Sequence, residues 1–148
     1  MRYLKILMAA AIALGLAGQS LADEAKTNAG AVTYDRLKHN SGITLQWIGW
    51  DDRGALMFRE AGGVAYLSGG QIDPAGGGSL WLDGEVIDAG DDYFTFEGLI
   101  RIANSPDTGR ICEDTKRWHF AITQGRKYYR LREFEWCDGL TDYIDIYF

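Results

Sequence analysis

The sequence predicts an all-β domain: an eight-stranded antiparallel meander that closes into an up-and-down barrel, with a short N-terminal helix before it. Two observations predict this fold. Apolar and polar residues alternate along short segments, which is the period of half-buried strands, and most of the connections are turns too short to hold a crossover helix. Closing such a meander removes its exposed edges, so we expect a barrel. A two-sheet β-sandwich is the alternative.

Residues 1–22 are typical of a secretory signal peptide. Arg2 and Lys5 precede a short apolar run, and Ser20-Leu21-Ala22 supplies a small-x-small cleavage site. The apolar run is too short to span a bilayer comfortably, which disfavours the alternative of an uncleaved membrane anchor. We therefore expect an exported bacterial protein, periplasmic or extracellular, that begins at Asp23 and does not contact the membrane after cleavage.

The predicted mature chain is a single acidic domain. Removing 22 of the 148 residues leaves 13 Lys and Arg against 21 Asp and Glu, a formal charge of −8. This charge argues against nucleic acid or an anionic membrane as the main partner. Residues 23–42 are expected to form a leader and a short helix, and residues 43–148 the barrel domain. Two cysteines in an exported chain indicate one structural disulfide.

The helix is predicted over Tyr34–His39, after a small and polar leader. The hydroxyl of Thr33 is placed to cap its start, and Asn40-Ser41-Gly42 is expected to end it. Tyr34 and Leu37 give this helix an apolar side. We expect that side to lie against an open end of the barrel.

Turn residues divide the next part of the chain into five strands, predicted over Ile43–Trp50, Ala55–Glu60, Val64–Ser68, Ser79–Ile87 and Tyr93–Ala103. Two longer connections are expected to be loops: the glycine-rich segment Gly69–Gly78, predicted to be mobile, and the polar segment Asn104–Lys116. Gly84 and Gly98 lie inside strands, where glycine suits the bends of a small barrel.

The last strands are predicted over Arg117–Thr123, Lys127–Leu131 and Asp142–Phe148, with a two-residue turn at Gln124-Gly125. This turn sets Phe120 against Tyr129, and Trp118 against Leu131, so that the apolar faces of the two strands coincide.

The same register sets Cys112 against Cys137 at a non-hydrogen-bonded site, where a cross-strand disulfide is feasible. Closing this loop should stabilise the fold by roughly 3 kcal/mol. The last strand matches its neighbour only if even residues face odd ones, which brings Asp145 near Arg132 and Tyr147 near Arg130.

One face of this three-stranded unit is basic and aromatic. We predict a binding site there from the residue types that are enriched at recognition surfaces, namely Tyr128, Arg130, Arg132, Phe134, Trp136, Tyr147 and the nearby His119. The first hypothesis is accordingly a non-enzymatic binding module, for a small ligand inside the barrel or a partner protein on its surface. Alternatively, the face is the packed interior of one barrel end or is covered by the N-terminal segment.

The second hypothesis is a small secreted hydrolase that uses His119 with a nearby carboxylate. The predicted neighbour of His119 is Arg130, which would disfavour the imidazolium, and no spacing places a serine or cysteine nucleophile beside it. We predict no catalytic residues.

Aspartates at two predicted turns could supply oxygen ligands to calcium, namely Asp88 with Asp91 and Asp92, or Asp51 with Asp52. Neither group has the spacing of an established calcium loop, and aspartate is also an ordinary turn residue. Gly76-Gly77-Gly78 lacks the lysine of a phosphate-binding loop. We therefore expect neither a metal nor a cofactor.

Trp47-Ile48-Gly49-Trp50 on the first predicted strand, together with arginines on a late strand, resembles the lipocalin-type barrels. In that family a first-strand tryptophan packs beneath an arginine from the end of the barrel, although the usual glycine-x-tryptophan order is not reproduced here. The resemblance implies barrel architecture. Small exported bacterial inhibitors of proteases and of lysozyme also use eight-stranded barrels with one disulfide, but no inhibitor motif is found in this chain.

Overall fold

The computed structural model describes residues 30–148 and confirms the eight-stranded antiparallel meander with a single short helix. Helix α1 spans residues 30–38, and the strands are β1 (Gly42–Leu45), β2 (Leu56–Ala61), β3 (Val64–Ile72), β4 (Ser79–Ala89), β5 (Tyr93–Ala103), β6 (Ile111–Ala121), β7 (Tyr128–Leu131) and β8 (Ile144–Tyr147). Their order in the sheet is β1-β8-β7-β6-β5-β4-β3-β2. The predicted signal peptide and the leader up to residue 29 lie outside the described residues. Within the described part, no helix is long and apolar enough to cross a membrane.

The sheet curls into a nearly closed barrel, and its two edges meet at a seam between β1 and the residues just before β2. Ile43 and Gly54 exchange backbone hydrogen bonds of 3.0 and 2.8 Å across this seam. The buried side chain of Gln71 completes the closure. Its Oε1 accepts from the backbone N of Leu45 at 2.6 Å, and its Nε2 donates to the carbonyls of Gly49 and Asp52 at 2.9 and 2.8 Å.

Large side chains fill the inside of the barrel. Those of Phe94, Phe96, Trp118, Phe120 and Tyr129 are fully buried. The rings of Phe94 and Phe120 stack with centroids 4.9 Å apart, and Tyr129 meets Phe94 edge-on at 5.2 Å. The barrel therefore encloses a packed hydrophobic core.

Helix α1 covers one end of the barrel with its apolar side, as predicted, and Leu37 is fully buried in the core. The predicted cap was wrong, because the helix already includes residue 30 and Thr33 lies inside it. The hydroxyl of Thr33 instead bonds the carbonyl of Gly90 and the hydroxyl of Tyr129. At the other end of α1, Asn40 Nδ2 donates to the carbonyl of Leu37 at 2.8 Å.

The glycine-rich connection was predicted to begin at Gly69, but β3 continues to Ile72. Close strand contacts explain the glycines. A Cβ on Gly69 would lie 2.2 Å from the carbonyl oxygen of Ala55, and one on Gly70 would lie 1.8 Å from that of Leu80. Glycine is required there for close packing of the backbone rather than for flexibility.

Gly84 and Gly98 are paired directly across β4 and β5. A Cβ on Gly84 would lie 2.7 Å from the Cα of Gly98. This close approach explains why both positions carry glycine.

Two further predicted strand boundaries were wrong for local reasons. The first strand ends at Leu45 rather than Trp50, because the amides of Ile48 and Gly49 return to the Leu45 carbonyl at 3.0 and 3.1 Å and form a turn. Strand β6 begins at Ile111, so the second half of the predicted polar loop is a strand. The polar residues from Glu113 to Arg117 are exposed or half-buried, so water can satisfy them.

The predicted turn after β6 is confirmed, but the register beyond it was wrong by two residues. Gln124 and Gly125 have φ of 56° and 64°, which is typical of a type I′ hairpin turn. The chain between this turn and β7 contains two residues more than the predicted pairing allows. Phe120 therefore faces Leu131 rather than Tyr129. An even shift keeps the same side chains inside, which is why the apolar pattern did not reveal it.

Cys112 and Cys137 form the predicted disulfide. The predicted cross-strand position was wrong, because Cys137 lies in the connection between β7 and β8, outside both strands. The bond therefore attaches this connection to β6.

The pairing of β7 with β8 also differs by two residues from the prediction. Arg130 faces Asp145 and Tyr128 faces Tyr147, so Asp145 is not beside Arg132 and Tyr147 is not beside Arg130. The predicted pairing of odd with even residues is confirmed.

Candidate functional site

The predicted site residues on β7 and β8 lie on the outer wall of the barrel, where the β1–β2 connection partly covers them. We call this surface the basic–aromatic face; it consists of Trp50, Arg53, Tyr128, Arg130, Arg132, Phe134, Tyr143 and Tyr147. Trp50, Arg53 and Tyr143 were not in the predicted set. The face is neither interior nor covered by the described part of the N-terminal segment.

A buried ion pair lies at the centre of this face. Arg130 Nε and NH2 donate to the two carboxylate oxygens of Asp145 at 2.7 and 2.8 Å. The side chains of Arg130 and Asp145 are only 15% and 1% exposed. The hydrogen bonds to Asp145 raise the pKa of Arg130 above its ordinary value. Two parallel hydrogen bonds at low exposure hold this guanidinium in one orientation.

Aromatic rings surround the guanidinium of Arg130. Its Cζ lies 4.0 Å from the ring centroid of Tyr143, 5.2 Å from that of Tyr128 and 5.8 Å from that of Trp50. These cation–π contacts cover the ion pair and explain how an outward-pointing carboxylate is almost completely buried. Trp50 lies in the β1–β2 connection rather than on the first strand, so its contact with Arg130 is not the first-strand packing that the resemblance to lipocalin-type barrels implies.

Tyr147 continues the ring cluster toward β1. Its ring lies 5.4 Å from that of Tyr128 and beneath the Arg53 guanidinium, whose Cζ is 3.8 Å from the ring centroid. The Tyr147 hydroxyl is 3.1 Å from that of Thr44. Burial is the main cause that raises the pKa of Tyr147 above its ordinary value.

Three of the predicted residues, Arg132, Phe134 and Trp136, line one cleft of ≈ 430 Å³ with Lys116, Glu133 and Glu135. Phe134 joins this cleft to the rest of the face, because its ring centroid is 5.2 Å from that of Tyr143. Trp136 forms the inner wall and meets Trp118 edge-on at 5.0 Å. Its indole Nε1 is buried without a hydrogen-bond partner among the described residues.

His119 is exposed on β6, and its surroundings differ from the prediction. Arg130 faces Ala121 rather than His119. The carboxylate of Glu133 instead forms a hydrogen bond with the imidazole Nδ1 of His119 and accepts one from the His119 backbone N at 2.9 Å. Thr95 is its neighbour on β5. Within the described chain, no serine, threonine or cysteine side chain is hydrogen-bonded to the imidazole.

A buried ionic network behind the disulfide was missed by the sequence analysis. The side chain of Arg110 is 7% exposed and binds both carboxylate oxygens of the fully buried Asp142, each at 2.8 Å. The indole of Trp47 donates to Asp142 at 2.9 Å. Arg110 also binds Asp138 at 2.8 Å, and this contact lowers the pKa of Asp138.

This network fixes the β7–β8 connection that carries Phe134 and Trp136. The sequence signal that could have revealed this network is a charged residue near each cysteine, because Arg110 precedes Cys112 by two residues and Asp138 follows Cys137 directly. Within residues 30–148, the cluster of potential metal ligands is Cys112, Cys137 and Asp138. Both of its sulfurs are in the disulfide, so the cluster does not offer a metal site.

Comparison with known proteins places the chain in a family. The model of the PM1083 family matches residues 19–148. The chain belongs to the PM1083 family. It is 35% identical over 109 residues to the uncharacterised protein PM1083 of Pasteurella multocida, an alignment that covers 72% of this chain and 69% of that protein. No solved structure matches the chain.

Proposed function

We propose that this PM1083-family protein is an exported, non-enzymatic binding module that recognises a partner protein through the basic–aromatic face. The observation that carries the proposal is a continuous group of partly exposed rings and arginines, held in fixed positions by the Arg130–Asp145 pair. Tyrosine, tryptophan and arginine are the residues that most often act as binding anchors. Side chains already fixed before association lose less entropy when a partner binds.

The packing of the barrel favours a partner on the surface over a small ligand inside. The fully buried aromatic side chains occupy the volume in which a ligand-binding barrel holds its ligand. The cleft beside Arg132 and Phe134 is open to the surface and is the natural place for a side chain of the partner. An inhibitor of a secreted or cell-envelope enzyme would fit this arrangement.

The alternative of a hydrolase retains one supporting contact, the pairing of His119 with Glu133. Such a pair could orient and polarise a general base. A hydrolase also needs a nucleophile in hydrogen-bond reach of the imidazole, and the nearby Thr95 makes no side-chain hydrogen bond to it in the described structure. We therefore favour binding.

The proposal is tested by capturing partners from periplasmic extract with the parent protein and with two variants. Arg132→Ala and Phe134→Ala each remove an anchor beside the cleft, and we expect each to weaken capture of one defined protein by about 2 kcal/mol. Arg59→Ala is the matched control, since Arg59 is an exposed arginine 4.6 Å from the ring of Tyr66, away from this face. Equal recovery by all variants with unchanged melting temperatures would refute the proposed face.

Export is a separate part of the proposal and has its own test. N-terminal sequencing of the protein purified from its native host should find Asp23 as the first residue. Full-length chain in the cytoplasm as the main species would contradict export.

A further inference from the structure

A second cleft of ≈ 480 Å³ lies between α1 and the barrel wall, away from the basic–aromatic face. It is lined by Gly30, Ala31, Tyr34, Asp35, Lys38, Phe58, Glu60, Ile87, Asp88 and Ala89. Its volume is in the range of small-molecule sites.

The inner wall of this helix cleft is aromatic and aliphatic. The rings of Tyr34 and Phe58 are 6.1 Å apart and inclined by 50°, and both residues are half-buried against the core. Ile87 and Ala89 extend the apolar surface along the end of β4. Such a wall can accept a ring or an alkyl chain of a ligand.

The rim carries three carboxylates, Asp35, Glu60 and Asp88, against the single ammonium of Lys38. Asp35 is 3.2 Å from the Nδ1 of the exposed His39, and Asp88 accepts a long hydrogen bond of 3.4 Å from the Tyr93 hydroxyl.

No described side chain donates a hydrogen bond to Glu60. The three carboxylates thus retain most of their capacity to accept hydrogen bonds from a ligand. Burial, and after it the charges of Asp88 and Glu60, raise the pKa of Tyr34.

We propose that the helix cleft binds a small organic cation, with its ammonium group among Asp35, Glu60 and Asp88 and its apolar body on Tyr34 and Phe58. The carboxylates attract the positive charge, and the two rings pack against the apolar body of the cation. A carboxylate ligand of the same shape would be repelled. The cation is either a free amine or a lysine side chain of a peptide, since both present an ammonium group on an apolar stem.

The test measures binding of 2-phenylethylammonium to protein purified from cells that express the full chain, by NMR titration of backbone amides. We expect shifts confined to the cleft residues and an affinity that falls as salt is added. 3-Phenylpropionate and 2-phenylethanol, which match the probe in shape but not in charge, should bind at least about tenfold more weakly, because they lack the attraction of the rim carboxylates.

Variants separate the charge contribution from that of the wall. Glu60→Gln and Asp88→Asn should each weaken binding about fourfold, the Coulomb effect of two unit charges roughly 5 Å apart in water. Asp83→Asn is the matched control, because Asp83 is an exposed carboxylate of β4 outside the cleft lining, and it should leave the affinity unchanged. Phe58→Leu keeps an apolar wall without a ring and should weaken binding through loss of the aromatic contact with the phenyl ring of the probe.

A parallel titration with Nα-acetyl-lysine N-methylamide distinguishes the two sources of the cation. Tighter binding of this compound would assign the site to a lysine side chain of a peptide, and tighter binding of 2-phenylethylammonium to a free amine. Equal binding of the cation and the carboxylate, or absence of binding by both cations, would overturn the proposal. None of these results depends on the basic–aromatic face.

Discussion

Replacing Arg130 with alanine tests whether the centre of the basic–aromatic face supports the fold. The substitution leaves the carboxylate of Asp145, which is 1% exposed, without its bidentate partner. Breaking a buried ion pair from one side costs roughly 3 to 5 kcal/mol. We therefore expect the free energy of unfolding to fall by about that amount. This is a large share of the total free energy of unfolding of a typical domain, which is roughly 5 to 15 kcal/mol.

The assay is urea denaturation followed by tryptophan fluorescence, with Arg117→Ala as the matched control. Arg117 also pairs with a carboxylate at short distance, that of Glu97 at 2.6 Å, but the two side chains are 70% and 49% exposed. Removing such a pair should change the stability by less than about 1 kcal/mol. Equal losses in the two variants would refute the reasoning, because burial would then not determine the cost.

Three further predictions concern the rest of the fold. Cys112→Ser combined with Cys137→Ser should lower stability by about 3 kcal/mol, and the oxidised parent should show no alkylatable thiol in mass spectrometry; two reactive thiols would contradict the disulfide. Gln71→Ala should lower the free energy of unfolding, measured by urea denaturation, by about 2 to 4 kcal/mol. The substitution removes hydrogen bonds to three backbone groups at the seam, whereas Ser68→Ala on the same strand should be nearly neutral. Because burial raises the folded-state pKa of Tyr147 above its ordinary value of 10.0, the native state keeps a proton that the unfolded chain loses, so the free energy of unfolding should fall as the pH rises above about 10. Tyr147→Phe should make that fall shallower, and an unchanged slope would count against the burial of this phenol.

The class of fold followed from local patterns that the structure retains. Each strand predicted from the alternation of apolar residues overlaps a strand of the structure, and the glycine pair Gly84 and Gly98 lies where β4 and β5 approach closely. These patterns could not determine the register of the strand pairs. A shift of two residues leaves Phe120 and Leu131 on the inner face, so alternation alone could not distinguish it from the predicted pairing.

The candidate site was predictable in composition but not in arrangement. Tyr128, Arg130 and Tyr147 share a face because they alternate on neighbouring strands, a property of sequence. The cover supplied by Trp50 and Arg53 depends on the turn after Leu45, and the split between an exposed Arg132 and a buried Arg130 depends on where β7 ends. Contacts between distant segments of this kind, including Arg110 with Asp142, leave no periodic signal.

The most direct test of the proposed binding face is photo-crosslinking in the native host. Glu135 is exposed beside the cleft, so replacing it with p-benzoylphenylalanine places a reactive group at the face while Arg132 and Phe134 remain. Replacement of Asp83, an exposed residue of β4 outside the lining of the cleft, is the control. The proposal predicts one discrete cross-linked protein from position 135 that is absent from position 83 and is lost when Phe134→Ala is added. The same cross-linked products from both positions, or a product from position 135 that survives Phe134→Ala, would contradict it.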